Sequence, residues 1–379
     1  MKCSWRLLVA ALAAVEFQQG AFSQVYSAKH IFTDEEIAAC TRFRTPTLVR
    51  NPETGAIHLT TRCCGKNRCS GKTRDQSTGV ETLRDNLKDC KVAMKTTLDN
   101  GRTWSKLQYI SGDSKGFGHG SAVWDRINRR IVLQYQSYPH GQTSPTADTT
   151  YFQVYSSDDA RTWTAPENIT HFLTGCNRYG RDHMMDLTAG NKIQTPAGRL
   201  LFTAHNHNHE VCAWYSDDGG KTYNVSNIVR GNEISVATLS KKGHLYMNGR
   251  GQSFPQWKGH RVDYFSYDDG ATWTDPVKSP LLTDYPDNCE RAVTSFNNVL
   301  YTSEPQGYSR THMVVQCSTN DAVSWNRNVS VNGAHRAGYS DLLGLPNGNL
   351  FMVWEDDNNR NGNVWVAEID TKWCSGNPR

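Results

Sequence analysis

TLDNGRTW at residues 97–104 is the first of five related octets, and together they decide the fold. The others are SSDDARTW at 156–163, SDDGGKTY at 216–223, SYDDGATW at 266–273 and STNDAVSW at 318–325. Successive starts lie 59, 60, 50 and 52 residues apart, a period that marks one supersecondary unit repeated along the chain. Inside each octet, Asp-Gly or its variant is turn chemistry. Gly takes positive φ, and Asp hydrogen-bonds the backbone of its own turn. Strand-like runs flank the octets, for example 151–155 and 264–266 before them and 199–202, 244–247 and 349–354 after them. The closing Trp or Tyr supplies a large apolar ring to fix the turn. Asp99, Asp158, Asp218 and Asp268 are therefore read as turn formers. Four-stranded antiparallel units repeated radially make a β-propeller, and the even spacing predicts an all-β, six-bladed one. The second octet has Ala160 in place of Gly, and the fifth has Asn320, Ala322 and Ser324 in place of Asp, Gly and Thr. Distorted turns are expected at both.

The chain begins like a secretory signal. Lys2 and Arg6 precede an apolar run at 7–15, and Ala21-Phe22-Ser23 forms a small-residue cleavage site. The expected organisation is a signal over 1–23 and one propeller over 24–379, secreted or lumenal, with no membrane span. The apolar run is too short to cross a bilayer. A net charge of +4 and the lack of a basic cluster alternating with aromatics give no support to nucleic-acid binding. Cys3 lies in the signal, leaving ten of the eleven cysteines, enough for up to five disulfides in an oxidising compartment. Cys63-Cys64-x4-Cys69 matches no standard zinc spacing. Asn168-Ile-Thr, Asn224-Val-Ser and Asn328-Val-Ser are glycosylation sequons.

The octets resemble the Asp boxes of the sialidase superfamily, and further motifs extend that resemblance. Phe43-Arg44-Thr45-Pro46 resembles the family's Phe/Tyr-Arg-Ile-Pro signature, with Arg42 two residues away as a possible confusion. Gly231-Asn232-Glu233, followed by a strand ending at Arg250, resembles its Asn-Glu, turn, strand, Arg block. Arg310 stands before the fifth octet, and Tyr339-Ser340-Asp341-Leu342 leads to Trp354-Glu355. The chain is most similar to glycoside hydrolase family 33 exo-sialidases, over residues 43 to 355. The resemblance implies that Arg44, Arg250 and Arg310 bind the substrate carboxylate and that Tyr339 is the nucleophile. It further implies that Glu233 is the base and that Glu355 orients Arg44. No cofactor and no metal are implied. The expected partners are sialylated glycoproteins, glycolipids or oligosaccharides; the oligomeric state is left open.

The chemistry suits those residue types. Sialic acid carries a carboxylate on its anomeric carbon, which three guanidiniums can grip with paired, charge-assisted hydrogen bonds. A carboxylate nucleophile would approach that carbon against like charge; a neutral Tyr activated by Glu avoids this, and sialidases depart from the two-carboxylate rule. Nearby arginines are expected to lower the phenol's pKa.

For the acid/base, the family places an Asp on the loop before the first box. Asp85 is chosen for its spacing from Asp99, ahead of Asp75 and Asp89. Arg62 is a tentative sugar contact, against an exposed surface Arg. Tyr308, two residues before Arg310, is a tentative acceptor-stacking ring. His205-Asn206-His207-Asn208-His209-Glu210 would put three His on one face if it were a strand, but it is read as a polar rim loop rather than a metal site. The alternatives are a deaminated-sialic-acid hydrolase or a trans-sialidase using the same residues, or a non-catalytic sialoglycan-binding propeller.

Overall fold

The structure is a computed structural model that describes residues 25–65, 72–74, 81–83, 90–111, 116–138, 148–176, 185–190, 192–206, 208–239, 243–284, 289–325, 327–333, 335–356 and 362–375. Six antiparallel sheets form the blades of a β-propeller. Blade 1 runs through Cys40–Arg50, Ile57–Gly65, Cys90–Thr97 and Gln108–Tyr109. Blade 2 opens with Gly116–Asp125, and blade 3 is built around Leu200–His205 and Glu210–Ser216. Blade 4 comprises Ile234–Thr238, Leu245–Gly249, His260–Ser266 and Val277–Thr283. Blade 5 opens with Ala292–Phe296. Blade 6 combines Ser340–Gly344, Leu350–Glu355 and Val364–Ile369 with Val25–His30, so the two ends of the ring are joined in one sheet. That closure pairs the otherwise open side of Val364–Ile369 and leaves Val25–His30 as the outer strand of the blade.

Each octet forms the turn from the third strand of its blade to the fourth. In the first, Thr97 Oγ1 accepts from the Gly101 amide at 2.8 Å, and Asp99 Oδ1 accepts from the Thr103 amide at 2.8 Å. Thr103 Oγ1 donates to Asp99 Oδ2 at 2.6 Å. Desolvation raises the Asp99 carboxyl, but the bonds from Thr103, Thr97 and the Arg102 amide outweigh it and bring it to about 2. The turn-former reading holds.

The aromatic that ends each octet packs beyond its own sheet. Trp104 meets Phe351 of blade 6 with ring centroids 6.4 Å apart, and Trp325 meets Tyr246 of blade 4 at 6.3 Å. The octet's glycine faces the same way: a Cβ on Gly101 would stand 3.0 Å from the Phe351 ring. The boxes are thus pegs driven into the preceding blade, burying apolar surface exactly where two sheets meet.

The expected distortion at the second and fifth boxes is not found. Ala160 and Ala322 adopt the same left-handed backbone, φ 61° and 66°. The Ala160 amide donates to Ser156 Oγ at 2.9 Å, and the Ala322 amide to Ser318 Oγ at 3.0 Å. The local hydrogen bonds and the packing against the preceding blade hold the turn, and alanine absorbs the strain.

Disulfides join Cys40–Cys63, Cys64–Cys90, Cys176–Cys212 and Cys317–Cys374, and Cys289 is a buried thiol. Cys69 lies outside the described residues. The sequon residues Asn168, Asn224 and Asn328 are exposed, each on an outer strand. No helix among the described residues is long and apolar enough to cross a membrane.

Candidate active site

The strand carrying Arg44 is interrupted where the site needs it. Arg44 pairs with Arg62, but the next pair is Thr47 with Thr60, so Thr45 and Pro46 together face Thr61. This is a bulge, reinforced by a proline that lacks an amide hydrogen. Thr45 takes φ 54°, a costly state for a β-branched residue. It is held by its amide donating to Glu355 Oε2 at 2.9 Å and its hydroxyl donating to the Arg44 carbonyl at 2.7 Å. The same Glu355 accepts from Arg44 Nε at 3.2 Å and Nη2 at 2.9 Å. Arg44, not Arg42, therefore faces the site; Arg42 lies over Gly362.

Glu233 immediately precedes Ile234–Thr238 and Arg250 immediately follows its partner Leu245–Gly249, so one antiparallel pair delivers both. Arg250 Nη1 bonds Glu233 Oε2, and Tyr339 Oη donates to Glu233 Oε1. Tyr339 immediately precedes the inner strand of blade 6, and its neighbour Gly338 leaves room for Glu355, whose Oε1 would lie 2.5 Å from a Cβ there. Arg310 sits in a tight turn with φ 52° and its carbonyl fixed by the Ala337 amide at 2.8 Å. The guanidiniums of Arg44 and Arg310 stand 5.4 and 5.6 Å from the centre of the Tyr339 ring. Arg44, Arg250, Arg310, Glu233, Tyr339 and Glu355 thus converge from blades 1, 4, 5 and 6.

Their electrostatics correct one expectation. Burial raises Glu233, but the adjacent Arg250, with His205 and the Tyr339 hydroxyl, holds it well below the usual carboxylate range. Tyr339 moves the other way. Burial and then the Glu233 charge push its phenol well above 10, and the pull of Arg250 and Arg310 does not reverse this. The resting site holds a phenol donating to a carboxylate, not a phenolate.

Arg62 is buried rather than a surface residue, and its charge acts on His119, which burial, helped by Arg62 and His205 against the pull of Asp186 and Glu233, brings to about 4. Asp186 accepts from Tyr138 Oη at 2.6 Å. His119 and Asp186 sit in no repeat or motif, so sequence reading missed them. The histidine run is a hairpin turn, not one strand. His205 ends Leu200–His205, Asn206 Oδ1 accepts from the Asn208 and Glu210 amides at 3.0 Å each, and His209 Nδ1 lies 3.0 Å from Ser253 Oγ. His207 lies outside the described residues, as do Asp75, Asp85 and Asp89. The Cys64–Cys90 disulfide joins the described residues on either side of the segment in which those three aspartates fall. Tyr308 is 73% exposed beside the Arg310 turn. Among the described residues, no three His, Cys, Asp or Glu side chains gather as a metal site.

Residues 79–352 match the family of the BNR repeat-like domain, well over half of the chain. The chain belongs to that family. The match agrees with the Asp-box resemblance read from the octets. A sialidase of Paraclostridium sordellii is 26% identical over 227 residues, covering 52% of this chain and 53% of that one. An exo-alpha-sialidase of Aspergillus fumigatus is 24% identical over 288 residues, covering 65% of this chain and 66% of its own. The chain thus spans about half the length of the first of these curated relatives. Among solved structures, a Hadza microbial sialidase superposes with a TM-score of 0.74 at 18% identity, over 91% of this chain and 68% of that one. At that identity the likeness speaks for the propeller.

Proposed function

We propose that the protein is a secreted, retaining exo-α-sialidase that releases terminal sialic acid from glycoconjugates. The observation that carries this reading is the Tyr339–Glu233 hydrogen bond, set between Arg250 on the carboxylate and Arg44 and Arg310 over the ring. In the proposed reaction, Arg44, Arg250 and Arg310 hold the sugar carboxylate. Tyr339 Oη attacks the anomeric carbon while its proton passes to Glu233, and the glycosidic oxygen leaves with a proton from Asp85. Water then attacks the same carbon and gives its proton to Asp85, and Tyr339 leaves with the proton from Glu233, so configuration is retained. Glu355 positions Arg44. Four disulfides support secretion, in keeping with the signal-like start of the sequence at residues 1–23.

The test is fluorophore release from an aryl α-sialoside by the folded protein and by Tyr339→Phe. Release by the wild type and a loss of at least 10³-fold in the variant is the expected result, because general-base and nucleophile chemistry together carry that much rate. A well-folded wild type with no release on this substrate or its deaminated analogue overturns the reading in favour of sialoglycan binding. Asp85→Asn, run alongside, should lose natural glycosides while retaining aryl substrates with good leaving groups; equal retention removes Asp85 from the role. The exposed Tyr308 favours adding a sugar acceptor to the same assay, so that transfer is read from the products.

A further inference from the structure

Glu290 takes no part in the reaction above, yet it is among the most deeply buried acids of the molecule. It follows Cys289, whose thiol packs with Ala189 against Tyr339, and it precedes the inner strand of blade 5. The residue is 0% exposed, and among the described residues neither carboxylate oxygen has a hydrogen-bond partner. Oε1 lies close to Gly190, 3.5 Å from where a Cβ would be, on the side where Ser235 Oγ also approaches.

The charges that act most strongly on Glu290 are those of Glu233, Lys192, Asp341 and Arg250. Lys192 is the natural counter-ion, but its ammonium is occupied elsewhere. It donates to Thr188 Oγ1 at 2.8 Å, the Ala189 carbonyl at 3.0 Å and the Gly190 carbonyl at 3.3 Å. Asp341 is turned toward the backbone, accepting from the Leu48 and Leu342 amides at 2.8 and 2.9 Å. An ionised carboxylate buried without a protein donor is far more costly than its acid form. The geometry therefore leaves Glu290 in the acid form, next in sequence to the Cys289 thiol that packs against Tyr339.

Resting on the sialidase reading of the site, we propose that Glu290 is a positioning residue: kept as an acid, it leaves the field of Arg250 free for Glu233 and for the substrate carboxylate, and losing its proton weakens substrate binding at alkaline pH. In agreement with that geometry, burial, and then the Glu233 charge, push Glu290 well above the usual carboxylate range, against Lys192 and Arg250. Ionised, it would set a second anion against Glu233 and offset part of the Arg250 charge. The loss falls on KM, because the step affected is capture of an anion.

Glu290→Gln keeps the volume and removes the ionisation. Two readouts are compared. The first needs no activity: urea unfolding of wild type and variant from pH 5 to 8. An acid with a raised folded-state pKa ionises only on unfolding once pH exceeds about 4.5. Wild-type stability relative to the variant should therefore fall by up to tenfold in folding constant per pH unit. A constant difference overturns the proposal. The second is the pH dependence of kcat and KM on an aryl α-sialoside, where the wild-type KM should rise at alkaline pH and that of the variant should not. Superimposed KM profiles overturn the positioning role. If the variant fails to fold, infrared titration of the wild type takes its place. A protonated-carboxyl band persisting at pH 8, where Asp341, at about 7, has ionised, supports the proposal, and its absence sinks it. Inactivity of the wild type would sink the sialidase reading while the unfolding and infrared results still report on Glu290.

Discussion

Glu355→Gln isolates one charge at the point where blades 1 and 6 meet the site. Glu355 is 1% exposed and accepts three hydrogen bonds: from Arg44 Nε at 3.2 Å, from Arg44 Nη2 at 2.9 Å and from the Thr45 amide at 2.9 Å. Glutamine keeps the volume beside Gly338 and one acceptor oxygen, so packing is preserved and the ion pair is lost. Stripping a buried charge of its partner costs about 3–5 kcal/mol. The Arg44 side chain keeps 13% exposure, so water shields part of the orphaned charge and the cost should be about 2–3 kcal/mol. The variant also releases Arg44 and the left-handed Thr45 turn, which should lower kcat/KM by about 10–100-fold, mostly through KM. Urea unfolding and steady-state kinetics on an aryl α-sialoside measure the two effects. The sign with pH adds a check. Burial opposes it, but Arg44 lowers the folded-state pKa of Glu355, so its contribution is complete above the unfolded value of about 4.5 and disappears as pH falls through the folded value. Wild type and variant should converge on acidification. A stability difference under about 1 kcal/mol at pH 7 together with unchanged kcat/KM would refute the reasoning.

Two further outcomes follow from strain and burial. Ala160→Gly relieves a left-handed alanine worth about 1–2 kcal/mol, less about 0.5–1 kcal/mol for the freer unfolded chain and the lost methyl contact, so a gain of about 0.5 kcal/mol is expected by urea unfolding; a loss would show that the methyl outweighs the strain. His58 is held neutral by burial, against the pull of Asp159, with its pKa brought to about 4. Its unfolded form takes a proton below about 6.5, so stability drains as pH falls from 6.5 toward 4, by about 3 kcal/mol at the end. His58→Gln should flatten that part of the stability–pH curve, and an unaltered slope would assign it to other groups.

The octets were legible because their chemistry is local: Thr97, Asp99, Gly101 and Thr103 satisfy one another within a single turn. The same locality explains why alanine at 160 and 322 was misjudged, since the bonds around those positions persist when glycine is absent. Ring closure by Val25–His30 against Val364–Ile369 had no local signature, as it pairs segments more than three hundred residues apart. In the site, Glu233 and Arg250 were readable as the two ends of one strand pair, and Tyr339 and Glu355 as the ends of another. His119, Asp186 and Glu290 were not, because where they lie depends on how whole blades pack. The direction of the Tyr339 shift was misread for the same reason: arginines can be counted in a sequence, but desolvation cannot.

That shift gives the proposed chemistry its order of events. Before substrate binds, Arg250 makes Glu233 a weak base and burial makes Tyr339 a weak acid, so the proton has little tendency to move. A substrate carboxylate arriving among Arg44, Arg250 and Arg310 must share Arg250 with Glu233. As Arg250 turns part of its charge to the ligand, the force holding Glu233 down weakens and its proton affinity rises. The developing positive charge at the anomeric carbon then draws on the Tyr339 oxygen while Glu233 receives its proton. On this reading the carboxylate is both the group recognised and the group that readies the base. Keeping Glu290 uncharged matters for the same reason, since a standing anion that acts on Arg250 would compete for the charge that the substrate has to claim.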